Sequence, residues 1–228
     1  MPRKNMAKKQ PLLFVMFFLY IFLANASDPD PVQDFCIPSN NSIPLRSTNS
    51  HFHFLPCKSL AEVTPEDFIF SGIKHPGNFS DIGFSGISVT PLNFPSLNTL
   101  GMSFARADLK IGGVNVPHLH PRATEIAYVV RGSVYSGFID STNKVFAKII
   151  EAGEVMVYPR GLVHFQMNVG KSPATIIGSF NSQNPGIIRI PNALFGAGVN
   201  DELLEKAFGM TIEEISNIRK KFFPKKIT

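Results

Sequence analysis

Three side chains able to hold a metal ion lie within eight residues: His118, His120 and Glu125, in the run GGVNVPHLHPRATEIAYVVRG from Gly112 to Gly132. On an extended strand side chains alternate between faces, so His118 and His120 point the same way, about 7 Å apart along the chain. Glu125 has the opposite parity and can join them only if the chain turns in between. Pro121 sits where such a break is wanted, because it removes a ladder N–H and restricts its neighbour. A second run, GEVMVYPRGLVHFQMN, adds His164 on another predicted strand, after a Pro159-Arg160-Gly161 turn. Three neutral imidazoles and one carboxylate make a mixed nitrogen and oxygen set. It is harder than the thiolate sites of zinc and iron–sulfur clusters, and suits manganese or non-haem iron with positions left open.

Ligands so far apart in the chain need a scaffold that brings strands together. From Leu100 the pattern has period two, Leu100, Met102 and Phe104 alternating with Gly101, Ser103 and Ala105, which predicts a half-buried strand. Further strand-like runs follow at 126–130, 133–140, 144–150, 155–159, 163–169 and 174–180, separated by turn-forming clusters. Many short strands with regular turn signals predict an all-β sandwich or barrel. Before them, Thr64 with Pro65 behind it opens one helical turn. After them, Asn200 caps a helix with Leu203, Leu204, Ala207 and Phe208 on one face, stopped by Gly209. Thr211 and Glu214 form a capping box for a second helix, whose apolar side is Ile215, Ile218 and Phe222 and which Pro224 ends.

The N-terminus carries an address. Arg3, Lys4, Lys8 and Lys9 precede a continuous apolar run from Leu12 to Ala24, and Ala24-Asn25-Ala26 supplies a cleavage site. This reads as a secretory signal peptide over residues 1–26, too short to span a bilayer, so no membrane association is expected once it is cut. The chain's 22 basic and 17 acidic residues then become 18 against 17. Its basicity belongs to targeting and gives no reason to expect nucleic acid. Cys36 and Cys57, the only cysteines, read as a disulfide in a secreted chain. They staple a largely irregular arm over residues 27–60. Asn40 and Asn78 each begin an N-x-S sequon, a candidate glycan site. His51 and His53 form a second H-x-H, but no carboxylate follows at a useful spacing and they are left outside the site.

The spacing G-x5-H-x-H-x4-E-x6-G runs through Gly112, His118, His120, Glu125 and Gly132, and G-x5-P-x-G-x2-H-x3-N through Gly153, Pro159, Gly161, His164 and Asn168. Both resemble the two cupin motifs, and HPRATEI, PRGLVHFQMNVG and the QDFC around Cys36 are similar to plant germin-like proteins. The resemblance implies a jelly-roll β-barrel over residues 61–198 with short C-terminal helices over 199–228. It implies manganese as the metal, a homo-oligomer (dimers assembled into a hexamer through those helices), and an apoplastic, defence-related setting. The 21 phenylalanines leave ample apolar surface for such contacts. A small anion or dioxygen species at the metal is the implied partner, with superoxide dismutation and oxalate oxidation as the implied chemistries. Oxalate oxidases of the family place two asparagines near the metal. Asn115 occupies one position as a candidate substrate-binding residue, while the other is Ala105. Alanine cannot donate to a carboxylate, a bond worth about 1.5–3 kcal/mol, so dismutase-like activity is expected rather than oxalate oxidase. The alternative is a non-enzymatic extracellular binding or storage cupin; the four ligands argue against storage alone and leave open a small-molecule binder that keeps its metal.

Overall fold

In the computed structural model, which describes residues 33–39 and 56–222, ten strands form two five-stranded antiparallel sheets. The strands are β1 (Phe84–Val89), β2 (Ser103–Leu109), β3 (Val114–Leu119), β4 (Glu125–Arg131), β5 (Ser133–Ile139), β6 (Val145–Glu151), β7 (Val155–Tyr158), β8 (Val163–Asn168), β9 (Ala174–Phe180) and β10 (Ile188–Arg189). One sheet runs β1-β2-β9-β4-β7 and the other β10-β3-β8-β5-β6. This is the jelly-roll arrangement of the cupin fold.

Alternation decides which side chains go inside. Along β4, Glu125, Ala127 and Val129 are buried while Ile126, Tyr128 and Val130 face outward. With Leu109, Val134, Ile150, Tyr158, Ala174 and Ile176, Ala127 and Val129 of β4 build the apolar core between the sheets. Each fully buried valine, leucine or isoleucine among them contributes about 1.5–3 kcal/mol.

The strand expected from Leu100 begins at Ser103, and its faces are reversed. Leu100 and Met102 are exposed, whereas Ser103 is buried and donates from Oγ to the Ser182 carbonyl at 2.7 Å. Residues before Ser103 belong to a turn, and a satisfied hydroxyl goes inside more cheaply than the apolar pattern suggests. Strands β1 and β10 were not expected.

Thr64 does open a single turn of 3-10 helix, Pro65–Phe68, where its N–H donates to the Asp67 carboxylate at 2.8 Å. Cys36 and Cys57 are bonded to each other. Two helices follow the barrel, α1 (Asp201–Phe208) and α2 (Ile212–Phe222). Asn200 accepts the Leu203 N–H at 3.1 Å, and Thr211 exchanges hydrogen bonds with Glu214. Leu204 and Ile215 are fully buried, but Leu203 and Phe208 on the expected apolar face of α1 are half exposed. No helix among the described residues is long and apolar enough to cross a membrane. The expected signal segment, the Asn40 sequon, His51, His53 and Pro224 lie outside the described residues.

Candidate metal centre

His118 and His164 meet because they are directly opposed across the β3–β8 ladder. Opposed residues share a sheet face, and here their rings lie 4.2 Å apart. His120 stands just beyond the end of β3, its ring 5.3 Å from each of the other two. Glu125 begins β4, which belongs to the other sheet. The turn at residues 121–124 thus carries the chain across the sandwich, and the parity conflict between Glu125 and the histidines disappears. The four ligand atoms all lie within 4.8 Å of one another. Glu125 Oε2 is 3.2 Å from both His120 Nε2 and His164 Nε2.

Each imidazole is set by a backbone carbonyl. Nδ1 of His118 meets Val116 O at 2.8 Å, that of His120 meets Gly186 O at 2.5 Å, and that of His164 meets Leu162 O at 2.9 Å. A carbonyl can only accept, so every Nδ1 carries a proton, and Nε2 is left as the ring nitrogen that can bind a metal ion once it carries none. Burial, reinforced by the neighbouring His164 ring, pushes His118 down to about 3, which keeps it neutral and able to bind a cation. Burial acts to raise the Glu125 carboxyl, but hydrogen bonding to His120 and His164 outweighs it and brings the group to about 2. An ionised carboxylate and three converging imidazoles are the donors a divalent transition metal takes, and the cluster fits such an ion.

Several residues that the motifs do not mark hold this geometry. Gly178 on β9 faces Glu125, and a Cβ there would stand 2.7 Å from Glu125 Oε1. Its place inside a strand was a readable sign of close approach. Gly186 has φ +65°, and a Cβ would meet the Arg122 guanidinium at 2.7 Å. That guanidinium donates to Asn184 O and Oδ1 at 2.7 and 2.8 Å, fastening the segment that supplies the carbonyl for His120. Phe180 packs on the His120 ring, and Tyr158 stacks on His164 at 4.4 Å. Burial raises the Tyr158 phenol to about 12, against hydrogen bonds with Ser136 and Gln166, so it remains neutral. Asn168, the last residue of the second motif, is structural: its amide donates to the Leu109, Lys110 and Ser172 carbonyls.

A cavity of about 240 Å³ opens onto the cluster, with Asn115, His118, His120 and Glu125 in its wall. Asn115 lies within β3 and donates from Nδ2 to Gln166 Oε1 at 2.6 Å, leaving its buried Oδ1 without a partner. Ala105 lines the same cavity, so no second amide faces the ligands from that position. Phe104, Ile87, Ile176 and Phe180 make the remaining wall largely apolar. The Asn78 side chain is exposed, as a glycan acceptor must be.

The cupin family model matches residues 71–216. Germin-like protein subfamily 3 member 2 of Arabidopsis thaliana is 60% identical over 202 residues, covering 87% of each chain. Germin-like protein 2-4 of Oryza sativa subsp. japonica is 52% identical over 224 residues, covering 96% of each. A solved structure of oxalate oxidase with the substrate analogue glycolate superposes with TM-score 0.77 at 38% identity, covering 86% of this chain and 98% of that one. With identity this high over nearly the whole length, and the same fold around the cluster, the chain belongs to the germin-like proteins of the cupin family.

Proposed function

We propose that this chain is a secreted, manganese-binding germin-like protein of the plant apoplast with superoxide dismutase-like activity and a defence-related role. The observation that carries the reading is the convergence of three imidazole rings and the Glu125 carboxylate beside a cavity that reaches them. His118, His120, Glu125 and His164 would hold the ion. When bound, manganese supplies a centre that can alternately take up and give back one electron. Dismutation converts two superoxide anions and two protons into dioxygen and hydrogen peroxide. For this, the chain's own residues need to admit a small anion and hold the ligands steady. The hydrogen-bonded Asn115–Gln166–Tyr158 set and the three carbonyl-anchored imidazoles supply that rigidity. Asn115 Oδ1 is placed to accept from a protonated species in the cavity.

The second reading is oxalate oxidase, favoured by the similarity to that enzyme and disfavoured by Ala105, which offers no hydrogen-bond donor. Secretion rests on the basic and apolar N-terminal run, and Asn78 and Asn40 are the proposed glycan sites. The exposed Leu203 and Phe208 on α1 and Ile212 on α2 support assembly into a homo-oligomer through the helices, as a trimer of dimers. The deciding experiment measures hydrogen peroxide from the manganese-loaded protein with superoxide and with oxalate. Peroxide from superoxide alone, abolished in His118→Ala together with bound manganese, is expected. Turnover of oxalate instead selects the second reading, and turnover of neither by a manganese-loaded protein favours a ligand-binding cupin.

A further inference from the structure

The wall of the metal cavity carries two arginines, Arg106 and Arg189, and a single carboxylate, Glu125. Arg106 is fully engaged. Its Nε and Nη2 meet the Asp108 carboxylate at 2.6 and 2.9 Å, and Nη1 donates to the Ile73 and Lys74 carbonyls at 2.9 and 3.0 Å. Glu125 is turned toward the histidines. Arg189 differs from both. Among the described residues no carboxylate lies within ion-pair distance of it, and its residue is exposed.

Its position follows from the ladder. On the two-residue edge strand β10, Arg189 is directly opposite His118 of β3. Directly opposed residues project to the same face, so the register that sends His118 to the metal cluster sends Arg189 to the same side of the sheet. At the edge this side is the rim of the cavity, wet outside and apolar within. A guanidinium there is weakly hydrated and presents a planar fork of donors.

We propose that Arg189 captures small anions at the mouth of the metal cavity and so determines which ligands reach the cluster. The proposal rests on the cluster being a metal centre open to an anion, and does not require dismutase turnover. One unit charge about 8 Å from an anion, in surroundings between protein surface and water, changes its local concentration by about two- to fivefold. Such an effect is screened by salt over about 8–10 Å.

The test is calorimetric titration of the manganese-loaded protein with azide and with oxalate, in low and in high salt. Bound manganese and melting temperature serve as controls. Azide binding is expected to weaken with salt in the unaltered protein. Arg189→Gln should weaken it about two- to fivefold in low salt and flatten that salt dependence, with manganese content unchanged. Arg189→Lys separates two sources of the anion. Retention of both ligands marks a point charge suited to a small inorganic anion such as superoxide. Retention of azide with loss of oxalate marks a carboxylate gripped by the guanidinium fork. Unchanged affinity and salt dependence for both anions in Arg189→Gln overturns the proposal. Arg189-dependent azide binding without superoxide turnover leaves it standing and removes the dismutase reading.

Discussion

Gly178 stands where any side chain would strike the carboxylate of Glu125. Gly178→Ala should therefore lower manganese affinity about ten- to hundredfold while leaving the fold intact, measured by metal competition with a chelator. The buried ligands also make the metal-free protein sensitive to acid. His118 falls from 6.5 to about 3 on folding and Glu125 from 4.5 to about 2. Both values are depressed, so the unfolded chain takes up protons first and stability is lost as pH falls. His118 acts between about 6.5 and 3, and Glu125 between about 4.5 and 2, each with a slope of up to about 1.4 kcal/mol per pH unit. Urea midpoints of the metal-free protein should drop from pH 7 to pH 4, and His118→Gln should flatten the upper part of that curve. A pH-independent midpoint would contradict this account. Three of the ligands were legible because they fall within eight residues and their types are rare together, and His164 because a second spaced motif frames it. Tyr158 and Gln166 were not, since Gln166 meets Asn115 through the β3–β8 register and Tyr158 reaches His164 from the opposite sheet.

Among the elements, the long strands were readable as short apolar runs bounded by turn residues, as in EIAYVVR of β4 before Gly132. The run FSGISV of β1 was not, with a glycine and two serines diluting its pattern, and β10 is too short to have a period. The start of β2 misled because a buried serine with a hydrogen bond breaks the link between apolarity and burial. Caps were legible because their chemistry is confined to four residues. Asn200→Ala removes the acceptor for the Leu203 N–H and should destabilise the C-terminal helices by about 1 kcal/mol, seen as reduced amide protection in α1. Cys36 and Cys57 close a loop with a sequence separation of 21. Cys36→Ser with Cys57→Ser should cost about 3 kcal/mol in chemical denaturation, with the bound metal retained.

At the scale of the whole molecule, apolar surface is left outside the core. Leu203, Phe208 and Ile212 are half exposed on the helices, as are Ile126, Tyr128, Val130, Val155 and Val157 on the outer face of β4 and β7. Patches of this kind are unusual on a monomer. Leu203→Glu with Phe208→Glu should reduce the mass seen in sedimentation, and an unaltered mass would exclude the helices as the contact. His118 and His164 belong to one sheet and Glu125 to the other, with His120 on the connection between them. An ion held by all four is therefore a rivet through the sandwich, and its binding energy doubles as adhesion between the layers. Stripping it should let the seam between β3 and β4 breathe first, with deuterium entering there before any other strand loosens.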